Sequence, residues 1–228
     1  MLKIAFIALT ALPLFAGFFP TTTHTSIASM NKTQMTLKST FSQKGMSGVV
    51  IHHYGDALSA NLGYLLPTKQ NHTFSFLAKE TLHHPTLPTI KTPPSLNDTV
   101  IGGYLYQNVL LLAPNAAEYH RITSQYHKTW IDPDLYALFL SKEEEREPTK
   151  ANLAAFAKKY QVGLIYIVQK ESAILLDPIS GKIVAKKRQK SISKESTHYP
   201  FFMHFKLEDT TWFSKKEVGT YYQTMESL

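Results

Sequence analysis

Lysines set beside carboxylates, and one basic stretch free of acids, are the groups in this sequence best placed to do chemistry, and that chemistry is recognition. Lys142-Glu143-Glu144-Glu145-Arg146-Glu147 puts a cation directly next to a carboxylate, and Lys215, Lys216 and Glu217 repeat the pairing on a second segment. Lys182, Lys186, Lys187, Arg188, Lys190 and Lys194 share a stretch without a single Asp or Glu. It offers a face to an anion or an acidic protein, and it reads equally as a solvated hairpin edge, because lysines blunt exposed strands against pairing. The run from Lys142 likewise reads as the frayed end of a helix and its loop.

Metal and catalytic chemistry find less support. There are 10 histidines, with adjacent pairs at His52-His53 and His83-His84. Neighbours on a strand point to opposite faces, so His52 and His53 cannot share one ion without a bulge. His120 and His127 lie a little under two helical turns apart, unlike the one-turn spacing of zinc-binding helices. No Gly-rich phosphate loop, nucleophile elbow or His-Glu-x-x-His is present, and there is no cysteine to act as nucleophile. Asp132, Asp134 and Asp177 are accounted for by a helix cap, a first helical turn and a hairpin turn. The expectation is therefore a non-enzyme with no catalytic, cofactor-binding or metal site.

The elements that must carry these groups divide into two units. Short β-like runs at Met35 to Phe41, Gly48 to Tyr54, Leu58 to Leu66 and His72 to Ala78, each bounded by turn residues, predict a small antiparallel barrel or sandwich. Residues 82–96 hold Pro85, Pro88, Pro93 and Pro94, too many for a central strand, and read as an extended crossing segment. Thr99 to Tyr106 and Val109 to Ala113 read as a hairpin. Asn115 with Glu118 forms a capping-box pattern, Asp132-Pro133 starts a second helix and Thr149 a third. Val162 to Val168 reads as a strand covered on both faces, followed by a hairpin turning at Asp177-Pro178-Ile179-Ser180-Gly181. Asp209 to Met225 reads as a last helix. The predicted class is α+β, with a β-rich unit over 35–113 and a helix-sheet unit over 114–228.

Ahead of these, Met1-Leu2-Lys3 and the apolar run Ile4 to Phe19 read as a secretory signal, too short and too interrupted at Pro13 for the roughly 20 residues of a membrane span. Cleavage after Ala28 is expected, because Ser26 and Ala28 put small residues at alternate positions, whereas Ala16 has Leu14 there. A signal followed by no cysteine points to the periplasm, outer membrane or surface of a Gram-negative bacterium, with no transmembrane span in the mature chain. The charge of +7 then favours anionic lipid, cell-wall polymer or acidic protein over nucleic acid.

Leu110-Leu111-Leu112-Ala113-Pro114-Asn115, Ala151-Asn152-Leu153, Val162 to Val168 and Pro200-Phe201-Phe202, taken in order, resemble the N-terminal domain of bacterial surface plasminogen-binding proteins from about Gly48 to Tyr222. The resemblance implies binding of host plasminogen, whose kringle domains capture lysine. The family's Lys/Glu-rich tail has no match in the ending Met225-Glu226-Ser227-Leu228, so it implies at most a weak, lysine-dependent binding in which internal copies such as Lys142 with Glu143 imitate a terminal lysine. Separately, the buried strand and the Asp-x-x-x-Gly turn at Asp177 look like those of periplasmic assembly domains. That likeness implies a scaffold in a periplasmic or outer-membrane assembly, such as a flagellar motor accessory, with envelope proteins as partners.

Overall fold

A computed structural model describes residues 17–31, 34–70, 72–78, 92–189, 196–204 and 220–228. Six antiparallel strands close into a barrel in the order β1-β2-β5-β4-β3-β6: β1 is Thr23–Met30, β2 Gln34–Leu37, β3 Gly48–His53, β4 Ser59–Pro67, β5 Thr73–Leu77 and β6 Thr99–Gly102. Alternating side chains fill it, among them Ile27, Met35, Leu37, Val50, Leu65 and Val100, all at most 3% exposed. Closure removes the open edges that short strands would otherwise expose. The ring of Phe41 packs on Phe74 at 4.7 Å and lies across the paired Gly48 and Gly102. A Cβ at Gly102 would stand 2.5 Å from that ring, and one at Gly48 2.7 Å, so both positions demand glycine.

Beside the barrel lies a five-stranded sheet. β7 (Asn108–Leu112) leads through α1 (Ala116–Gln125) to β8 (Thr129–Ile131), then α2 (Pro133–Lys142) and α3 (Lys150–Tyr160) lead to β9 (Leu164–Val168). β10 (Ser172–Asp177), β11 (Lys182–Arg188) and α4 (Tyr221–Ser227) follow. The strand order is β11-β10-β9-β7-β8, with β7 parallel to both its neighbours and β10 antiparallel to both of its own. β9 and β10 are buried along their whole length, as expected for the β-branched run at Val162 to Val168. Helix starts follow local chemistry. Asn115 accepts from the Glu118 N–H, Asp132 from Asp134, and Thr149 and Asn152 form a reciprocal capping box. On α4, Thr220 and Gln223 form another, and the buried Tyr221 hydroxyl reaches the carbonyls of Leu112 and Val168 at 2.9 and 2.8 Å.

Several expectations need correction. The boundary at Ala28 cuts through β1, where Ile27 is wholly buried and seven of the strand's eight residues pair with β2 or β6; a segment as polar as Thr21 to Ser26 does not read as a strand until its partners are known. The Thr99–Ala113 hairpin does not form. β6 belongs to the barrel and β7 to the sheet, joined through a turn at Gly103 (φ 68°) where Tyr106 N–H donates to the Gly103 carbonyl. The two units therefore meet near residue 103 and not at 113. The end of α2 is not frayed: Glu143 N–H donates to Phe139 O at 3.0 Å, Glu145 N–H to Leu140 O at 2.9 Å, and Glu144 turns through φ 58°. Residues 79–91 of the proline segment and 205–219 of the last predicted helix lie outside the described residues.

Candidate functional site

The hairpin cations of β11 split between two faces. Lys187 turns towards α1, where its Nζ sits 4.6 Å from the ring centre of Phe18, 5.0 Å from Tyr126 and 5.6 Å from Tyr166, and donates to the Tyr126 hydroxyl at 2.8 Å. Phe19 packs edge-on against Tyr126 and carries Lys128 over its ring at 4.6 Å. Burial there lowers the Lys128 pKa. Lys187 is thus a structural cation, which no spacing in the sequence announces.

Lys186 and Arg188 remain exposed, and among the described residues neither is in an ion pair. Lys186 shares a polar hollow of about 460 Å³ with Gln169, Lys170, Glu171, Ser172 and Glu226, so residues 40 positions apart place a cation near a carboxylate. Lys142 and Glu143 are also exposed, held by the closed turn that ends α2. Lys190, Lys194, Lys215, Lys216 and Glu217 lie outside the described residues.

Asp177, read as a turn residue, is wholly buried. Its Oδ2 accepts from Ser47 N–H at 2.6 Å and the Tyr106 hydroxyl at 2.7 Å, while Oδ1 accepts from Ile179 and Ser180 N–H at 2.9 Å each. With both oxygens committed, it fastens the sheet to the barrel. Burial, then the nearby carboxylate, holds the Tyr106 phenol far above its ordinary pKa.

Two further clusters escaped the sequence. At the barrel mouth the β2–β3 and β4–β5 connections enclose about 650 Å³, with Lys44, Lys69 and His72 among the lining residues and no carboxylate. At the start of α2, one ligand atom each of Asp132, Asp134 and His204 lie within 4.8 Å of one another. Asp132 Oδ1 already caps the helix and Asp134 Oδ1 accepts His204 N–H, so the geometry is that of a cap bracing residues 196–204. His52 and His53 go separate ways, to Asp98 at 2.8 Å and Thr99 at 3.2 Å. Among the described residues no helix is long and apolar enough to cross a membrane.

The sequence that forms these elements matches a known family. The family model described as plasminogen-binding protein PgbA N-terminal covers residues 22–228, from the approach to β1 to the end of α4. This chain belongs to the PgbA N-terminal family. Within the PgbA N-terminal domain, β1 therefore counts as part of the fold, in agreement with its place in the barrel. Two relatives from Helicobacter pylori are both named plasminogen-binding protein PgbA. That of strain ATCC 700392 / 26695 is 28% identical over 163 residues, covering 70% of this chain and 35% of the relative. That of strain J99 is 30% identical over 131 residues, covering 57% and 28%. The chain thus spans about a third of the length of these curated relatives. No solved structure matches it.

Proposed function

We propose that this protein is an exported, non-enzymatic binding protein of the bacterial envelope that captures plasminogen through exposed lysines. The family's relatives are named for that ligand, and the arrangement at Lys142 supplies a means. Its carrying observation is that Lys142 and Glu143 stand exposed and adjacent on a backbone fixed by the bonds closing α2. A cation and carboxylate on a fixed turn lose less conformational freedom on capture than the same pair on a mobile tail.

Immobilised plasminogen should capture the purified protein, and the lysine analogue aminocaproate should abolish that capture. The K142A substitution should weaken it several-fold while leaving the thermal transition in place. Capture that survives excess analogue rejects the lysine route. Protease accessibility on intact cells tests display at the surface, since a host protein can be met only from outside.

A further inference from the structure

Beyond plasminogen capture, the basic strand β11 has the geometry to accept another chain. It forms one edge of the five-stranded sheet, bonded to β10 on one side, and among the described residues nothing pairs with its other side. Gln189 N–H donates inwards to the Glu171 carbonyl at 3.1 Å. In an antiparallel ladder the bonded pairs alternate, so the backbone groups of Lys186 and Arg188 point outwards. Their side chains are exposed as well, and two positions apart they share one face. Ile183 adds an apolar contact near the start of the strand, at 48% exposed.

An open edge of this kind would ordinarily pair with its own copy or with any extended chain. Here the cations set the choice. Two β11 edges brought together would oppose like charges, which is unfavourable, whereas a strand with carboxylates opposite Lys186 and Arg188 would place opposite charges about 4.5–5.5 Å apart at Cβ. Glu171 and Glu226, in the hollow shared with Lys186, do not close on that lysine as an ion pair. We infer that β11 is a docking edge for an extended acidic segment of a partner protein, added as a sixth strand, with carboxylates at alternate positions opposite Lys186 and Arg188. Backbone bonds would supply attachment and the charges selectivity, the division of labour of strand addition.

The test uses the full chain and two labelled synthetic peptides, one alternating valine with glutamate and one alternating valine with lysine. The acidic peptide should bind by fluorescence anisotropy, and hydrogen exchange should slow at the backbone amides of β11. The basic peptide should bind at least tenfold more weakly. The double variant K186E/R188E should reverse the preference. K186P, which removes one outward N–H at an exposed position, should lose binding while keeping the circular dichroism of the parent. Equal binding of both peptides, or acidic binding without protection on β11, overturns the proposal. Because plasminogen capture is read at Lys142 and blocked by aminocaproate, failure of one assay leaves the other intact.

Discussion

The Tyr106 hydroxyl donates to Asp177 Oδ2 at 2.7 Å across the junction of barrel and sheet, and the same oxygen takes the Ser47 N–H at 2.6 Å. Three elements distant in sequence therefore converge on one carboxylate. Ser180 Oγ adds a bond to the Gly45 carbonyl at 2.6 Å, from the same turn to the same barrel loop. A buried charge is tolerable where several donors surround it, and here four do.

Removing that acceptor should be expensive. D177A leaves buried donors without partners and should cost about 3–5 kcal/mol, whereas Y106F removes a single bond and should cost about 1–2 kcal/mol. Urea unfolding of the three proteins checks the order. A D177A loss no larger than that of Y106F would mean that the junction is held by apolar contact instead.

The N-terminal boundary is testable in the same way. A chain beginning at Gly17 keeps β1 and the Phe18–Phe19 contacts and should unfold like the full protein. One beginning at Ser29 loses Ile27 from the barrel core, a deletion worth about 2–5 kcal/mol for that side chain alone, and the pairing that closes β1 on β6. It should be unfolded by circular dichroism. N-terminal sequencing of exported protein should accordingly find a start ahead of Phe18.

Most strands and the first three helices are legible in the sequence because their signals are local: turn residues around alternating runs, Asn115, Asp132 and Thr149 at the starts, and a continuous apolar β9, whereas α4 starts at Thr220 and not at Asp209. What it missed depended on distant partners. Thr21 to Ser26 reads as leader until Ser39 and Ser42 are seen donating their N–H groups to Thr25 and Thr23. Val109 to Ala113 reads as half of a hairpin until β8 and β9 flank β7 in parallel. The site was legible in part: Lys142 and the β11 cations were named, but which of them packs away and which stays free is decided by Phe18 and Tyr126, outside the motif.

Alkaline titration should report the buried phenols. Burial first, then Asp177, raises the Tyr64 pKa to about 12 from an ordinary value near 10. Because the folded value is the higher, the neutral phenol contributes fully below about pH 10, and that contribution disappears as pH rises through about 12. Tyr106, Tyr136, Tyr166 and Tyr221 are displaced further in the same direction by burial. Phenolate absorbance from this set should appear together with loss of the folded circular dichroism. A smooth, reversible titration of every tyrosine near pH 10 would contradict their burial.

Charge reversal along β11 should separate three residues that the sequence treats alike. Read as a uniform exposed patch, Lys186, Lys187 and Arg188 should each tolerate glutamate with a change below about 0.5 kcal/mol. The structure predicts otherwise for the middle one. K187E replaces a cation held against Phe18, Tyr126 and Tyr166 with an anion facing the same electron-rich rings and a phenol that now accepts nothing from it. Loss of the cation–π contacts, about 0.5–2 kcal/mol, adds to the cost of leaving a half-buried carboxylate among aromatics, so a total of about 2–4 kcal/mol is expected. K187M, which keeps the stem but not the charge, should fall between the parent and K187E. Chemical denaturation of K186E, R188E, K187M and K187E decides the matter: near-equal midpoints across all four would return Lys187 to the solvated edge and leave the aromatic cluster without its cation.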